Sequence, residues 1–404
     1  MSPSANYSSK LSLFLFCSLF VLAVILPAQV HAADDLEVSG WIPYWATSKG
    51  TRDAMKHLSD LDVIHPFGFT IKRDGALHDA MGLKKSAWRK LFKSADSKNV
   101  LVIPTVTSGD GALVHTILSD EDLRKDHIEA IVAAVKKGKF DGIDIDYEGK
   151  RSETKDYFSL FLKELKEELD GKILSCAIEA RTPPESLYKV IPATIAYAND
   201  YAAIGTYCDR IELMTYDQRR ADIKLNESKA GEPYMPLADT DWVRKVAEFA
   251  VQNLPKEKLV LGIPTYGHQY EITVVPNWYR DYSRVGAINP PSALKMAKKE
   301  KVTPSRNRGG ELSFSYATKA FSRELRSASL QVPEGTTSGN LIAARALAYA
   351  NTTGSTAVIN YVTWSDAESI RTKVELAREL GLLGVAFFKF DGEEDPDMWD
   401  VLSD

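Results

Sequence analysis

Two hydrophobic patterns alternate along this chain. Short runs rich in β-branched and aromatic residues, bounded by Gly, Pro or Asp, have strand character. Longer stretches between them carry apolar residues at helical spacing. The strand-like runs are Val38 to Ala46, Val63 to Lys72, Val100 to Ser108, a run from Phe140, Ile173 to Arg181, Arg210 to Gln218, Leu259 to His268, and Leu383 to Asp391. Helices are expected near Ser86 to Lys98, and from a cap at Ser119 through Leu123, Ile128, Ile131, Val132 and Val135. Others are expected near Ser152 to Leu169 with a stop at Gly171, near Asp239 to Asn253, and near Asp366 to Leu380. Eight strands, each followed by a helix or an excursion, predict an α/β chain folded as a (β/α)8 TIM barrel over residues 36 to 404.

Residues 269 to about 365 do not fit one strand–helix unit and predict an α+β insertion after the seventh strand. They hold strand-like Ile272 to Val275, Leu312 to Tyr316 and Val358 to Trp364, with helix-like stretches near Ala317 to Ala328 and Ser338 to Ala350. Insertions at the C-terminal rim of a barrel serve binding. The rings of Trp278, Tyr279 and Trp364 then either face a ligand groove or fill the insertion's own small core.

The N-terminus adds a targeting signal. Lys10 precedes an apolar run from Leu11 to Leu26, then Pro27 and the small-residue site Val30-His31-Ala32. This predicts a secretory leader, residues 1–32, cut after Ala32; a retained membrane anchor is the alternative. Cys17 lies in that run, so the mature chain keeps only Cys176 and Cys208 and is no disulfide scaffold. The 404 residues are 26% charged with a formal net charge of -5, and no dense basic cluster points to nucleic acid. A neutral polymer would not be repelled.

Candidate chemistry concentrates in Phe140-Asp141-Gly142-Ile143-Asp144-Ile145-Asp146-Tyr147-Glu148. On a strand, Asp144, Asp146 and Glu148 share one face, and Ile143, Ile145 and Tyr147 the other. Three neighbouring carboxyls in a partly desolvated site cannot all ionise easily, so at least one pKa rises. A carboxyl still protonated near neutral pH is what a general acid needs. A calcium loop is a poor fit, because Lys155 stands where an EF-hand needs a bidentate Glu. Asp141, on the other parity, is expected to be structural.

The run D-G-x-D-x-D-x-E resembles the signature of glycoside hydrolase family 18, the chitinase-like barrels. Met214-Thr215-Tyr216-Asp217 resembles the family's sixth-strand M-x-Y-D, and Gly262-Ile263-Pro264-Thr265-Tyr266-Gly267 its seventh-strand G-x-P-x-Y-G. Gly384-Val385-Ala386-Phe387-Phe388 stands at its G-x-x-x-W, with Phe388 in place of the floor Trp. The resemblance implies a glycosidase acting on polysaccharides containing β-1,4-linked N-acetylglucosamine; with the leader it is expected to be secreted, as a monomer, with no cofactor and, since no His/Cys cluster has ligand spacing, no metal. It implies Glu148 as acid and base, Asp146 orienting the substrate acetamido group, Asp144 tuning Asp146, and Tyr216 and Asp217 holding that group. Tyr266 and Phe388 would bind substrate. Met214 would line the pocket or the core, Trp41 and Trp45 would stack on sugar or fill the core, and Glu179 and Arg181 would face the site or form an ion pair. His268 reads as a polar loop residue. Strand three lacks the S-x-G-G of typical chitinases and is more like bacterial members linked to peptidoglycan and spore-cortex glycans. A lectin-like barrel is the alternative function, although such members usually lose the catalytic Glu.

Overall fold

The computed structural model describes residues 36–326 and 329–403; the expected leader and Cys17 lie outside the described residues. Eight parallel strands close into a barrel: Glu37–Pro43, Val63–Ile71, a third in two pieces, Leu101–Val102 and Thr105–Ser108, then Gly142–Tyr147, Ile173–Glu179, Arg210–Met214, Leu259–Pro264 and Gly384–Phe388. Each pairs with its neighbours in chain order, and the first strand closes the ring against the last. They are called barrel strands 1 to 8 below.

Most strands are shorter than the apolar runs, for local reasons. Strand 1 ends at Pro43, and Tyr44–Ala46 turn off as a 3-10 helix. Strand 3 breaks at Pro104, which has no N–H for the ladder. Strand 7 ends at Pro264 and strand 6 at Met214. Ser119 is not a cap but the last residue of a helix, Gly111–Ser119, and Asp120 caps the next one, Glu121–Gly138, accepting from the Leu123 N–H at 3.0 Å. Asp has the charged acceptor, which suits the helix N-terminus better.

The outer face of strand 4 is the barrel's packing face. Ile143, Ile145 and Tyr147 are fully buried among Phe158, Phe161 and the helix Glu121–Gly138. The Tyr147 hydroxyl meets His127 Nε2 at 2.6 Å, while His127 Nδ1 donates to the Gly75 carbonyl at 2.5 Å. Burial holds the His127 pKa below its usual value, so the neutral ring accepts a hydrogen bond from the Tyr147 hydroxyl. Asp141 accepts from the Val102 N–H at 2.8 Å, the structural role its parity indicated. A disulfide joins Cys176 on strand 5 to Cys208 just before strand 6, with 6.1 Å between the Cα atoms. The two cysteines are 32 residues apart, and closing a loop of that length stabilises by about 3–4 kcal/mol in chain-entropy terms.

After strand 7 the chain enters a five-stranded antiparallel sheet, in the order Trp278–Ile288, Gly267–Val275, Ala357–Trp364, Leu312–Ala317, Ser305–Arg306. Gly267 sits where a Cβ would lie 2.1 Å from the Thr363 carbonyl, so only glycine permits this junction. The helix Leu341–Thr353 packs on the sheet through Ala343, Ala346 and Ala350. A helix at Pro290–Glu300, opened by two prolines, has no counterpart in the sequence expectation. The helix expected near Ala317 to Ala328 is replaced by 3-10 turns, Lys319–Phe321 and Glu324–Arg326. Tyr279 and Trp364 are buried in the insertion's own cores, so they are not groove rings; Trp278 is 56% exposed. Glu311 ties the insertion to the barrel, accepting from the N–H groups of Leu237 and Ala238 and from the Thr363 hydroxyl. No helix among the described residues is long and apolar enough to cross a membrane.

The loop after strand 8 is held by Glu394, whose Oε2 accepts from the N–H groups of Asp391, Gly392 and Glu393. Burial and a hydrogen bond with Asp53 push its pKa up to about 9. The folded value lies above the unfolded one, so its contribution is full below about pH 4.5 and is lost as pH rises through about 9. Glu394→Gln keeps the shape of the protonated acid. The variant should show a flatter fall in Tm from pH 5 to pH 9 than the parent. Identical slopes would mean that the Glu394–Asp53 pair does not hold the proton.

Candidate active site

The carboxylate row runs up the inside of the barrel. Asp144, at its floor, is fully buried; its Oδ2 accepts from Trp41 Nε1 at 3.1 Å and from the Thr105 hydroxyl at 2.7 Å. Asp146, one step up, accepts from the Thr107 hydroxyl at 2.9 Å. The other oxygen of each, Asp144 Oδ1 and Asp146 Oδ1, is buried without a partner. Burial, then repulsion from Glu212, pushes the Asp144 pKa up to about 6. Burial, then repulsion from Glu148 and Asp144, pushes Asp146 well above the usual carboxylate range.

Glu148 stands past the strand's end and reaches solvent. Its pKa is raised by partial burial, then by repulsion from Glu179, against the pull of Lys150. Glu179 is fixed beside it, accepting from the Gly149 N–H at 3.0 Å and from Asn199 Nδ2 at 2.7 Å, with Lys150 Nζ at 3.6 Å. The turn cannot drift: a Cβ on Gly111 would lie 1.9 Å from the Gly149 carbonyl, so helix and turn touch backbone to backbone.

A cavity of about 130 Å³ opens above the row, lined by Asp146, Glu148, Met214, Tyr216, Asp217, Tyr266 and Phe388, with Trp41, Phe67 and Ala177. Phe388 lies almost parallel to Tyr216, ring centroids 5.6 Å apart, and edge-on to Trp41 and Tyr266. Asp217, at φ +53°, accepts from the Tyr266 hydroxyl at 2.9 Å and from His268 Nε2 at 2.7 Å. Burial would raise its pKa, but these hydrogen bonds and the His268 ring hold it below the usual value. Seven expected site residues besides Asp144 thus meet at one cavity.

Two expected residues do not. Trp45 lies beyond strand 1, is 54% exposed, and lines a separate cavity of about 940 Å³ with Lys49, Lys85, Asn289 and Lys389. The parity it was to share with Trp41 ends at Pro43. Arg181 is clamped between the rings of Tyr197 and Tyr201, 3.7 Å from each, and donates to the Asn199 carbonyl. It therefore neither faces the cavity nor pairs with Glu179. His268 is no loop residue but is buried against Asp217. The hydroxyls of Thr105 and Thr107 and the ring of Phe67 belong to the site as well. The alternation along strands 2 and 3 could have singled them out.

At the foot of the row, His65, Asp144 and Glu212 each bring one potential ligand atom within 4.8 Å of the others. They come from strands 2, 4 and 6, so no sequence spacing signals the cluster. Arg210 Nε lies 3.8 Å from Glu212 and already supplies positive charge there.

A family model described as "Glycosyl hydrolases family 18" matches residues 40–393. The chain is 22% identical to a cortical fragment-lytic enzyme of Bacillus subtilis over 88% of this chain and 70% of that protein. It is 27% identical to an uncharacterized glycosylase, YvbX, of the same organism over 52% of this chain and 56% of that protein. The chain spans about half the length of the first curated relatives it matches. Among solved structures, the Bacillus cereus spore cortex-lytic enzyme SleL superposes with a TM-score of 0.66 at 20% identity, over 91% of this chain and 74% of that one. A chitinase from Chromobacterium violaceum gives 0.64 at 18%, over 91% and 98%. At these identities the superpositions speak for the fold.

The charge beside Glu148 is testable. Glu179→Gln removes a repulsion that raises the Glu148 pKa, so the basic limb of any Glu148-dependent activity should move to lower pH. An unmoved limb would show that Glu179 acts on the turn alone.

Proposed function

The chain belongs to glycosyl hydrolase family 18, and from that premise we propose that it hydrolyses β-1,4-linked glycans containing N-acetylglucosamine by substrate-assisted, retaining catalysis. The observation that carries this reading is the carboxylate row ending in Glu148. It is the member of the row that reaches solvent, and its raised pKa favours the protonated acid. Glu148 gives its proton to the glycosidic oxygen as the bond to the anomeric carbon breaks. The acetamido oxygen of the same sugar attacks that carbon, giving an oxazolinium-like intermediate. Asp146 accepts the acetamido N–H and stabilises the positive charge, and Tyr216 donates to the acetamido oxygen. Phe388 supports the sugar ring from below. The Glu148 carboxylate then takes a proton from water, which attacks the anomeric carbon and restores the acetamide. Asp217, occupied by Tyr266 and His268, orients the group rather than attacking.

Bacterial wall glycan is the proposed polymer rather than chitin, and its support is twofold: strand 3 departs from the typical chitinase pattern, and relatives are named for cortex lysis. The proposed place of action is outside the cytoplasm, as a single chain. The apolar leader supports it, and so does the Cys176–Cys208 disulfide, a bond that persists in oxidising compartments.

Glu148→Gln should cut turnover of N-acetylglucosamine oligomers and of purified sacculi by roughly 10²-fold or more, with glycan binding retained. Activity within a few-fold of the parent would remove Glu148 from its role, and full activity on chitin with none on sacculi would reverse the substrate assignment. A thiazoline mimic of the intermediate should bind far more tightly than N-acetylglucosamine; equal binding would rule out the acetamido nucleophile.

The exposed rings mark where a long chain would lie. Trp45 borders the 940 Å³ cavity and Trp278 a second of about 500 Å³, and the strand Trp278–Ile288 reaches both. Losing a stacking ring costs about 1–2 kcal/mol. Trp45→Ala and Trp278→Ala should therefore slow hydrolysis of long oligomers several-fold and spare a disaccharide reporter. Equal losses on both substrates in Trp278→Ala would show that the insertion is not a groove wall, and in Trp45→Ala that the turn after strand 1 holds no distant sugar.

A further inference from the structure

The floor of the barrel holds an ionisable cluster that the reaction above does not use. His65, fully buried on strand 2, places Nδ1 3.0 Å from the Ile103 carbonyl oxygen. A carbonyl has no proton to give, so Nδ1 carries one and donates. Nε2 lies 3.0 Å from Glu212 Oε1, off the line of a well-formed hydrogen bond. In a neutral ring with its proton on Nδ1, the Nε2 lone pair would face a carboxylate. That repulsion in a dry interior is relieved when Nε2 is protonated and the contact becomes an ion pair.

The surrounding groups fit that charge. From strand 6, Glu212 also accepts from the Ser175 hydroxyl at 3.0 Å, and Arg210 pairs with Glu37 of strand 1. From strand 4, Asp144 faces the same space with Oδ1 unpartnered, and Asp146 lies above it. Strand 1 adds the Trp41 ring, 5.4 Å from the imidazole, and strands 7 and 8 add apolar Val260 and Ala386. Arg210 pairs with Glu37 and also lies 3.8 Å from Glu212, so two carboxylates share one guanidinium, and an imidazolium on His65 supplies the second positive charge. The proton on His65 thus decides whether Asp144 has a positive charge beside it or only a second carboxylate.

We propose that His65 is a positioning residue for the reaction: held as an imidazolium by Glu212, it supplies the counter-charge that lets Asp144, and through it Asp146, carry a negative charge inside the barrel. This rests on the glycosidase reading for its consequence but not for its chemistry. Burial alone would lower the His65 pKa, and the charges of Glu212 and Asp144 outweigh it and raise it.

Imidazole nitrogen NMR of the ¹⁵N-labelled parent protein tests the charge without any substrate. One folded-state histidine should keep both ring nitrogens protonated at pH 8 and lose that signature on unfolding. Neutral rings throughout at pH 8 would overturn the proposal and leave the glycosidase assignment standing. A stoichiometric divalent metal in the purified protein would overturn it too, because Nε2 would then be a ligand. In His65→Gln the acidic limb of the kcat profile should move up by about one pH unit, with kcat down about tenfold at pH 6 and KM nearly unchanged. A variant that only melts earlier, with its pH profile intact, would reduce His65 to a structural residue.

Discussion

Carboxylates inside a closed barrel carry an electrostatic cost that apolar packing cannot offset alone, and the rest of the site is arranged around it. Moving one ion out of water costs several kcal/mol even after the protein relaxes. The row meets this with a gradient. Asp144, the deepest, has two neutral donors, Trp41 and Thr105, and faces the His65–Glu212 pair. Asp146 has one donor, Thr107, and a carboxyl on either side. Glu148 has solvent. Protein-supplied stabilisation falls along the row, and partial burial with repulsion from Glu179 keeps a proton on Glu148 at its outer end. A reaction that begins with proton donation needs one there.

The gradient works only in one register. Strands 3 and 4 align Thr105 with Asp144 and Thr107 with Asp146, which delivers a hydroxyl to each carboxylate. A slip of one residue on strand 4 would turn Ile143, Ile145 and Tyr147 into the barrel and the acids against the helices. The outer face opposes that slip. Two isoleucines and a tyrosine are fully buried there, and the Tyr147–His127–Gly75 chain accepts no substitute from the acidic face. The apolar face fixes the row in place, and the row gives the strand its chemistry.

How much was legible in the sequence follows from which rule governs each residue. The two-residue period of a strand is local, so Asp144, Asp146, Glu148 and the buried face opposite were readable, as was the barrel from its alternating runs. Trp45 was misplaced because the same period was extended past Pro43, where the chain leaves the strand. Arg181 was misplaced because its partners are Tyr197, in an irregular segment, and Tyr201, which opens a helix of seven residues too short for a period to be read. The His65 cluster joins three strands and the His268–Asp217 contact joins the insertion's first strand to the turn after strand 6, so only closure of the barrel brings them together. Ser119 and Asp120 differ by one position, within the usual uncertainty of a helix boundary.

Closure also explains why the insertion belongs to the site and not merely beside it. Its first strand begins at Gly267, directly after Tyr266, and its second residue is His268. Both rings grip the same oxygen of Asp217, which the end of strand 6 presents in a left-handed conformation. That conformation is costly for a residue with a side chain. Two hydrogen bonds from the insertion's root hold it there, while Glu311 fixes the insertion's far strands to the loop before the helix Thr240–Val251. The insertion therefore sets the geometry at Asp217 from its base, whatever its outer strands contact.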